Sequence, residues 1–319
     1  MQIISNCTHN EVKKAAKALK DGHLVAFPTE TVYGLGADAS NAKAVARIYS
    51  TKGRPTDHPL IVHISSINEM SKWAIDIPEY AKKLAIEFWP GPMTLILKRS
   101  NTAKDFITGS QGSVGVRVPS HPLALSLITE LEKLGGYGVA APSANRFGAV
   151  SPTTSEAVCE ELGAYLAEED LILDGGQSNV GIESTIIDCT GFAPRILRPG
   201  AIFFEMIANS TGIVTEYGAS NNGTRTSGLF EKHYSPKARV ILGYTAQPGE
   251  GFIAMSNTKT PIGSIHLASP VTILEFAHTF YSSLRLADKK GLATVVVNCP
   301  DGDGLLVAIR DRLNKAAQG

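Results

Sequence analysis

The stretch from Lys52 to His63, K-G-R-P-T-D-H-P-L-I-V-H, puts two fixed cations on a Gly/Pro turn directly before an apolar strand, an arrangement suited to holding an anion. Gly53 frees the backbone and Pro55 stiffens it, so Lys52 and Arg54 are expected to present their charges at a strand edge and not along a solvated helix face. For a K-x-R pair alone, a solvated basic turn is the competing reading. Three more polar runs abut apolar strands, where an α/β protein builds its pocket: P-T-E-T-V-Y-G-L-G from Pro28, V-G-V-R-V-P-S-H-P from Val114, and A-P-S-A-N from Ala141.

Single residues in these runs suit particular contacts. Arg117 alternates with Val116 and Val118 and must face opposite to them. Buried in a covered sheet, it needs an anionic partner, either a substrate carboxylate held bidentately or a structural Asp or Glu. His63 stands among Ile61, Val62 and Ile64, and either points a ring nitrogen into a pocket at the strand's end or is a satisfied core histidine. Ser143 and Asn145 follow directly on a strand, where hydroxyl and amide can donate to phosphate oxygens or cap a helix. His58 and His63 have a spacing found in zinc sites, but no second Cys or His pair stands nearby, so no metal held by protein ligands is expected. Gly34 to Ala39 spells G-x-G-x-x-A. Pro28 and a polar T-E-T precede it and the next helix starts only near Asn41, which favours a turn over a dinucleotide site. With no G-x-x-x-x-G-K-S/T in the chain, a nucleotide must be held by side chains and other turns.

The elements that would position these residues follow from periodicity. Thr8-His9-Asn10-Glu11 has capping-box spacing, and Val12, Ala15, Ala16 and Leu19 predict a helix that ends at Gly22. Strands are predicted at 23–27, 60–64, 93–98, 114–118, 137–141, 171–174, 184–189 and 195–198, and helices at 41–51, 66–73, 78–88, 121–134, 153–162 and 201–209. Hairpin-like pairs such as 184–189 with 195–198 interrupt a strict βαβ alternation, so the fold class is α/β with a twisted mixed sheet. Residues 218–236 shift to Gly, Ser, Asn and Thr and read as a linker, yet they carry Leu229, Phe230 and Tyr234. Strands at 239–243, 252–255 and 294–298 alternate with helices at 270–287 and 303–316, a small Rossmann-like α/β unit. The expected division is 1–210, a linker over 211–237 and a second domain over 238–319.

Composition sets the bounds. The chain has 319 residues, 43% of them hydrophobic, enough for one large core or two smaller ones. Lys plus Arg and Asp plus Glu number 30 each, so no global field holds it on nucleic acid or an acidic membrane, and anion binding must be local. The four cysteines are scattered, with no C-x-x-C pair, which speaks against zinc ribbons and a disulfide framework and fits a reduced, cytoplasmic setting. No run approaches membrane-spanning length, and the amphipathic N-terminus does not read as a signal peptide.

Taken together, P-T-E-T-V-Y-G-L-G, K-G-R-P with P-L-I-V-H, W-P-G-P-M-T, V-R-V-P-S-H-P, A-P-S-A-N, E-S-T-I-I-D and R-P-G resemble the YrdC-type L-threonylcarbamoyladenylate synthases. The likeness spans residues 8–205, and H-Y-S-P with the α/β tail resembles the longer, two-domain members. It implies that L-threonine, bicarbonate and ATP, the last carrying Mg²⁺, give threonylcarbamoyl-AMP and pyrophosphate, with the product passing to a tRNA threonylcarbamoyl transferase. Thr31, His63, Arg117 and Ser184 would contact threonine, with Ala141 offering backbone. Lys52, Arg54, His58, Ser113, Ser143, Asn145, Ser151, Arg198 and Tyr234 would surround ATP, Lys52 and Arg54 in the catalytic role of neutralising charge. His58 departs from the family, where many members carry Asn in R-P-x-x-N-P-L. The segment around 227–236 is expected to close over the ATP pocket as a lid. Two other classes stay open: a double-stranded RNA binding module, which zero net charge disfavours, and carbamoyl-transferring maturation enzymes, whose zinc-finger and acylphosphatase modules this chain lacks.

Overall fold

The structure, a computed structural model, describes residues 1–218, 223, 225–226 and 234–318. The first sheet region contains β1 (Gln2–Ile4), α1 (His9–Lys20), β2 (Val25–Phe27), β3 (Gly34–Asp38), α2 (Ala42–Lys52), β4 (Ile61–His63), α3 (Met70–Trp73), α4 (Glu79–Phe88), β5 (Met93–Lys98) and α5 (Asp105–Thr108). It continues with β6 (Ser113–Arg117), α6 (Pro122–Lys133), β7 (Val139–Ala140), α7 (Ser155–Leu162), β8 (Leu171–Leu173), β9 (Thr185–Asp188), β10 (Arg195–Arg198), α8 (Phe204–Thr211) and β11 (Glu216–Tyr217). These strands form one 11-stranded sheet in the order β1-β8-β2-β3-β7-β4-β6-β5-β9-β10-β11. It mixes parallel pairs such as β4 with β6 and antiparallel ones such as β9 with β10, the expected hairpin. Along β2, Ala26 joins one apolar cluster while Val25 and Phe27 join another, the period-two alternation of a sheet covered on both faces.

The remainder forms a parallel four-stranded sheet of β12 (Arg239–Leu242), β13 (Gly251–Ala254), β14 (Ile265–Ala268) and β15 (Thr294–Asn298), in the order β12-β15-β13-β14, with α9 (Ile273–Lys289) and α10 (Leu305–Ala317). Its α9 residues Phe276, Phe280 and Tyr281 share one apolar cluster with Val32, Val150 and Ile182 of the first region, and Tyr234 belongs to the same cluster. Among the described residues, no helix is long and apolar enough to cross a membrane, and the four cysteines are free thiols.

Three expectations need correction. The capping box before α1 does not form, because the Thr8 hydroxyl donates to the Glu11 carboxylate and caps no backbone N–H. Lys52 is the last residue of α2 and not part of a turn; Gly53, at φ +64°, ends the helix in the left-handed region that suits glycine. The G-L-G-A-D run is strand β3, not a turn, and a Cβ at Gly36 would come within 2.7 Å of Val139 Cγ1 and 2.9 Å of a Phe27 ring carbon. Residues 227–233, most of the expected lid, lie outside the described residues.

Candidate active site

Parallel pairing sets His63 of β4 beside Arg117 of β6, so two functional side chains leave the sheet at adjacent strand ends. The turn after β7 comes to the same place, where Gly34 bridges to Ser143 and the Ala144 amide donates to the Tyr33 carbonyl at 2.8 Å. A cleft opens there, bordered by these strand ends and turns. Thr31, His63, Arg117, Ala141 and Ser184, the residues expected to meet threonine, all line it. So do Arg54, Ser143, Arg198 and Tyr234 of the expected ATP set. The other five, Lys52, His58, Ser113, Asn145 and Ser151, are buried near these elements but do not form the wall.

Arg117 resolves the open choice of partner on the protein's side. Its Nη2 donates to Glu30 Oε1 at 2.6 Å and its Nε to the Gly91 carbonyl at 3.3 Å, while the Ser120 amide holds the other Glu30 oxygen at 3.1 Å. Arg117 is thus ion-paired within the fold and still faces the cavity. The His63 ring stands edge-on to Phe27 with centroids 6.0 Å apart. Burial, helped by the Arg117 charge, brings His63 down to about 3, so the ring is neutral at physiological pH. Unfolding exposes an ordinary imidazole that takes a proton below about 6.5, so this contribution to stability is whole above that pH and lost as pH falls toward 3. The expected slope is about 1.4 kcal/mol per pH unit in that window, and a His63→Gln variant should show a flatter acid limb in denaturant titrations. An unchanged limb would refute it.

The cationic side is built differently from the expected turn. The Lys52 ammonium donates to the Ser143 carbonyl at 2.6 Å and also to the Asn145 carbonyl, pinning the A-P-S-A-N turn. Burial, then the Arg54 charge, presses Lys52 well below the ordinary lysine range. Arg54 lines the cavity with Nη2 on the Pro59 carbonyl at 3.0 Å, and burial lowers it to about 10. His58 packs on Phe147 with ring centroids 5.3 Å apart. Asn145 gives its amide N–H groups to the Arg146 and Ala149 carbonyls at 2.7 and 2.9 Å, inside its own turn. Ser113 starts β6 opposite Lys98.

Arg198 donates through Nε and Nη2 to the Ser184 carbonyl at 3.1 and 3.0 Å, and the Ser184 hydroxyl pairs with that of Thr94 at 2.8 Å. Ser151 donates to Glu183 Oε1 at 2.6 Å. Glu30 and Glu183 are the site residues that reading single positions missed. Their signal was available: each is the acid inside a quoted run, P-T-E-T and E-S-T-I-I-D, and buried arginines require such counter-ions.

A mixed α/β sheet whose strand ends and loops gather Arg54, Arg117 and Arg198 around one cavity defines an enzyme for anionic substrates, with phosphate and carboxylate as the groups guanidinium forks fit. The comparisons narrow this class. The family described as telomere recombination, Sua5_yciO_yrdC, matches residues 17–200, and the threonylcarbamoyl-AMP synthase C-terminal domain matches residues 202–318. A threonylcarbamoyl-AMP synthase of Pyrococcus abyssi is 38% identical, over 96% of this chain and 94% of the relative. One from Bacillus subtilis is 36% identical, over 97% and 93%. The crystal structure of P. abyssi Sua5 complexed with L-threonine superposes with a TM-score of 0.87 at 34% identity, covering 99% of this chain and 97% of that one. The chain belongs to the threonylcarbamoyl-AMP synthase family, in its two-domain form.

Proposed function

We propose that this chain makes threonylcarbamoyl-AMP from L-threonine, bicarbonate and ATP. The observation that carries the reading is a single cavity that joins a neutral His63, Thr31 and Arg117 to a second basic wall of Arg54 and Arg198. The first group suits an amino acid, with Arg117 toward its carboxylate; the second suits a triphosphate. Threonine's nitrogen bonds to the bicarbonate carbon with loss of water. A carbamate oxygen then bonds to the α-phosphorus as the bond to the β-phosphate oxygen breaks, and pyrophosphate leaves. This sequence needs no protein nucleophile, so the fold's contribution is positioning and charge neutralisation.

Glu183, on the cavity wall, is held by Arg312, and Glu30, behind it, by Arg117; the described residues contain no His/Cys/Asp/Glu cluster able to hold a metal. In this reading Mg²⁺ comes as the counter-ion of the triphosphate. Residues 1–210 act as the synthase unit, with 211–237 as linker and 238–319 as the second unit. In this reading the product passes to a tRNA threonylcarbamoyl transferase in the cytoplasm. Full-length likeness to synthases leaves the double-stranded RNA reading without support.

Pyrophosphate release with ATP, Mg²⁺, bicarbonate and each amino acid in turn tests the proposal. Serine, lacking a methyl, should lose about 1–3 kcal/mol, whereas valine leaves a buried polar group unpaired and should be worse by roughly 10⁴. Valine turned over as fast as threonine would overturn it.

A further inference from the structure

Glu183 is the residue where the two sheet regions meet the cavity. Its Oε2 accepts from Arg312 Nε of α10 at 2.9 Å and from the Tyr281 hydroxyl of α9 at 2.9 Å, and its Oε1 from Ser151. Arg312 also reaches the Glu183 carbonyl at 3.5 Å and Asp311 at 2.7 Å, and is wholly buried. Tyr234, held at φ +63°, a strained setting for an aromatic residue, stacks on Tyr281 at 5.7 Å with the Arg312 guanidinium 5.4 Å from its ring centre. Glu183, Tyr234, Ser184 and Arg198 line the cavity, while Arg312 and Tyr281 stand behind that wall. Burial alone would raise the Glu183 carboxyl, yet Arg312, then Arg198 and the hydrogen bonds, bring it down to about 2.

A buried ion pair adds little to stability over apolar packing of the same volume, so gluing two regions together does not explain one placed here. Its position does. Besides Arg312, the cation acting most strongly on Glu183 is Arg198, and Glu183 adjoins Ser184, whose carbonyl and hydroxyl hold Arg198. Without Arg312 and Tyr281, the carboxylate would turn toward Arg198, twist the Ser184 peptide and set a negative charge against an incoming triphosphate.

We propose that Arg312 and Tyr281, supplied by the C-terminal helices, are positioning residues for the nucleotide wall of the cavity, which they complete by tethering Glu183 away from Arg198. This rests on the reading of Arg198 as a nucleotide contact. It gives the C-terminal region a part in catalysis without touching substrate.

The test uses the full chain and steady-state pyrophosphate release. Arg312→Met should raise KM for ATP roughly tenfold or more and KM for threonine far less, because Arg117, Thr31 and His63 keep their partners. Adding Glu183→Gln, which removes the stray charge, should return KM for ATP to within roughly threefold of wild type. Tyr281→Phe should raise it by a smaller factor at unchanged Tm, and carries the test if Arg312→Met does not fold. Unchanged KM for ATP in a folded Arg312→Met or Tyr281→Phe protein overturns the proposal, as does a double variant no better than the single. Arg198→Ala, measured alongside, separates the two readings. If it leaves KM for ATP unchanged while Arg312→Met raises it, the assignment of Arg198 fails and the contribution of the C-terminal helices stands.

Discussion

Lys52→Ala is expected to lower the unfolding free energy by about 2–4 kcal/mol and to cut pyrophosphate release by at least roughly a hundredfold. Both effects have one origin. The ammonium is the donor to the Ser143 and Asn145 carbonyls, and the turn it pins carries Ala141 and Ser143 to the cavity wall. Removing it leaves two carbonyl groups in a dry site with their donor gone and lets the turn shift, and small displacements near reacting groups are costly. Lys52→Met, which keeps the stem and lacks the donor, should behave nearly as badly, and so separates the hydrogen bonds from packing. Urea unfolding and saturating-substrate assays on both variants check this. A Lys52→Met protein as stable and active as wild type would refute it. Arg54→Ala is the contrast: its side chain lines the cavity, so the loss should fall on KM for ATP more than on stability.

The parts of the fold legible in the sequence are those set by local pattern. The M-T-L-I-L-K and R-I-L-R strands fall where alternation and flanking breakers put them, as β5 and β10. The Gly34–Asp38 strand was hidden because glycine is depleted in strands. Only the tertiary approach of Val139 and Phe27 to Gly36 explains why glycine stands there. Lys52 read as a cation on a turn offered to an anion, because lysine is seldom buried and its carbonyl partners lie more than ninety positions away. The need of Arg117 for an anion was visible in one strand; which anion was not, because Glu30 is 87 positions distant. The Arg312 and Glu183 pair is separated by 129 positions, and nothing in either local pattern points to the other.

The Arg117 and Glu30 pair yields the sharpest separation of structure from binding. Both side chains are buried, so Glu30→Ala leaves a guanidinium without its compensating charge and should cost about 3–5 kcal/mol of stability. Arg117→Ala strands the carboxylate in the same way, and either single variant would look inactive for want of folded protein. Replacing both partners, as Glu30→Gln with Arg117→Met, removes the unpaired charge, and buried pairs exchanged for neutral groups of similar volume are often no less stable. The double variant should therefore recover most of the wild-type unfolding free energy. It should not recover the amino-acid site: losing a charge-assisted contact to a carboxylate costs about 2–5 kcal/mol, so KM for threonine should stay at least roughly thirtyfold above wild type while KM for ATP moves little. Denaturant unfolding and KM for each substrate, measured on the two singles and the double, give the full cycle. A stable double variant with wild-type KM for threonine would mean that Arg117 serves only Glu30, and the amino acid's carboxylate must then be sought elsewhere on the cavity wall.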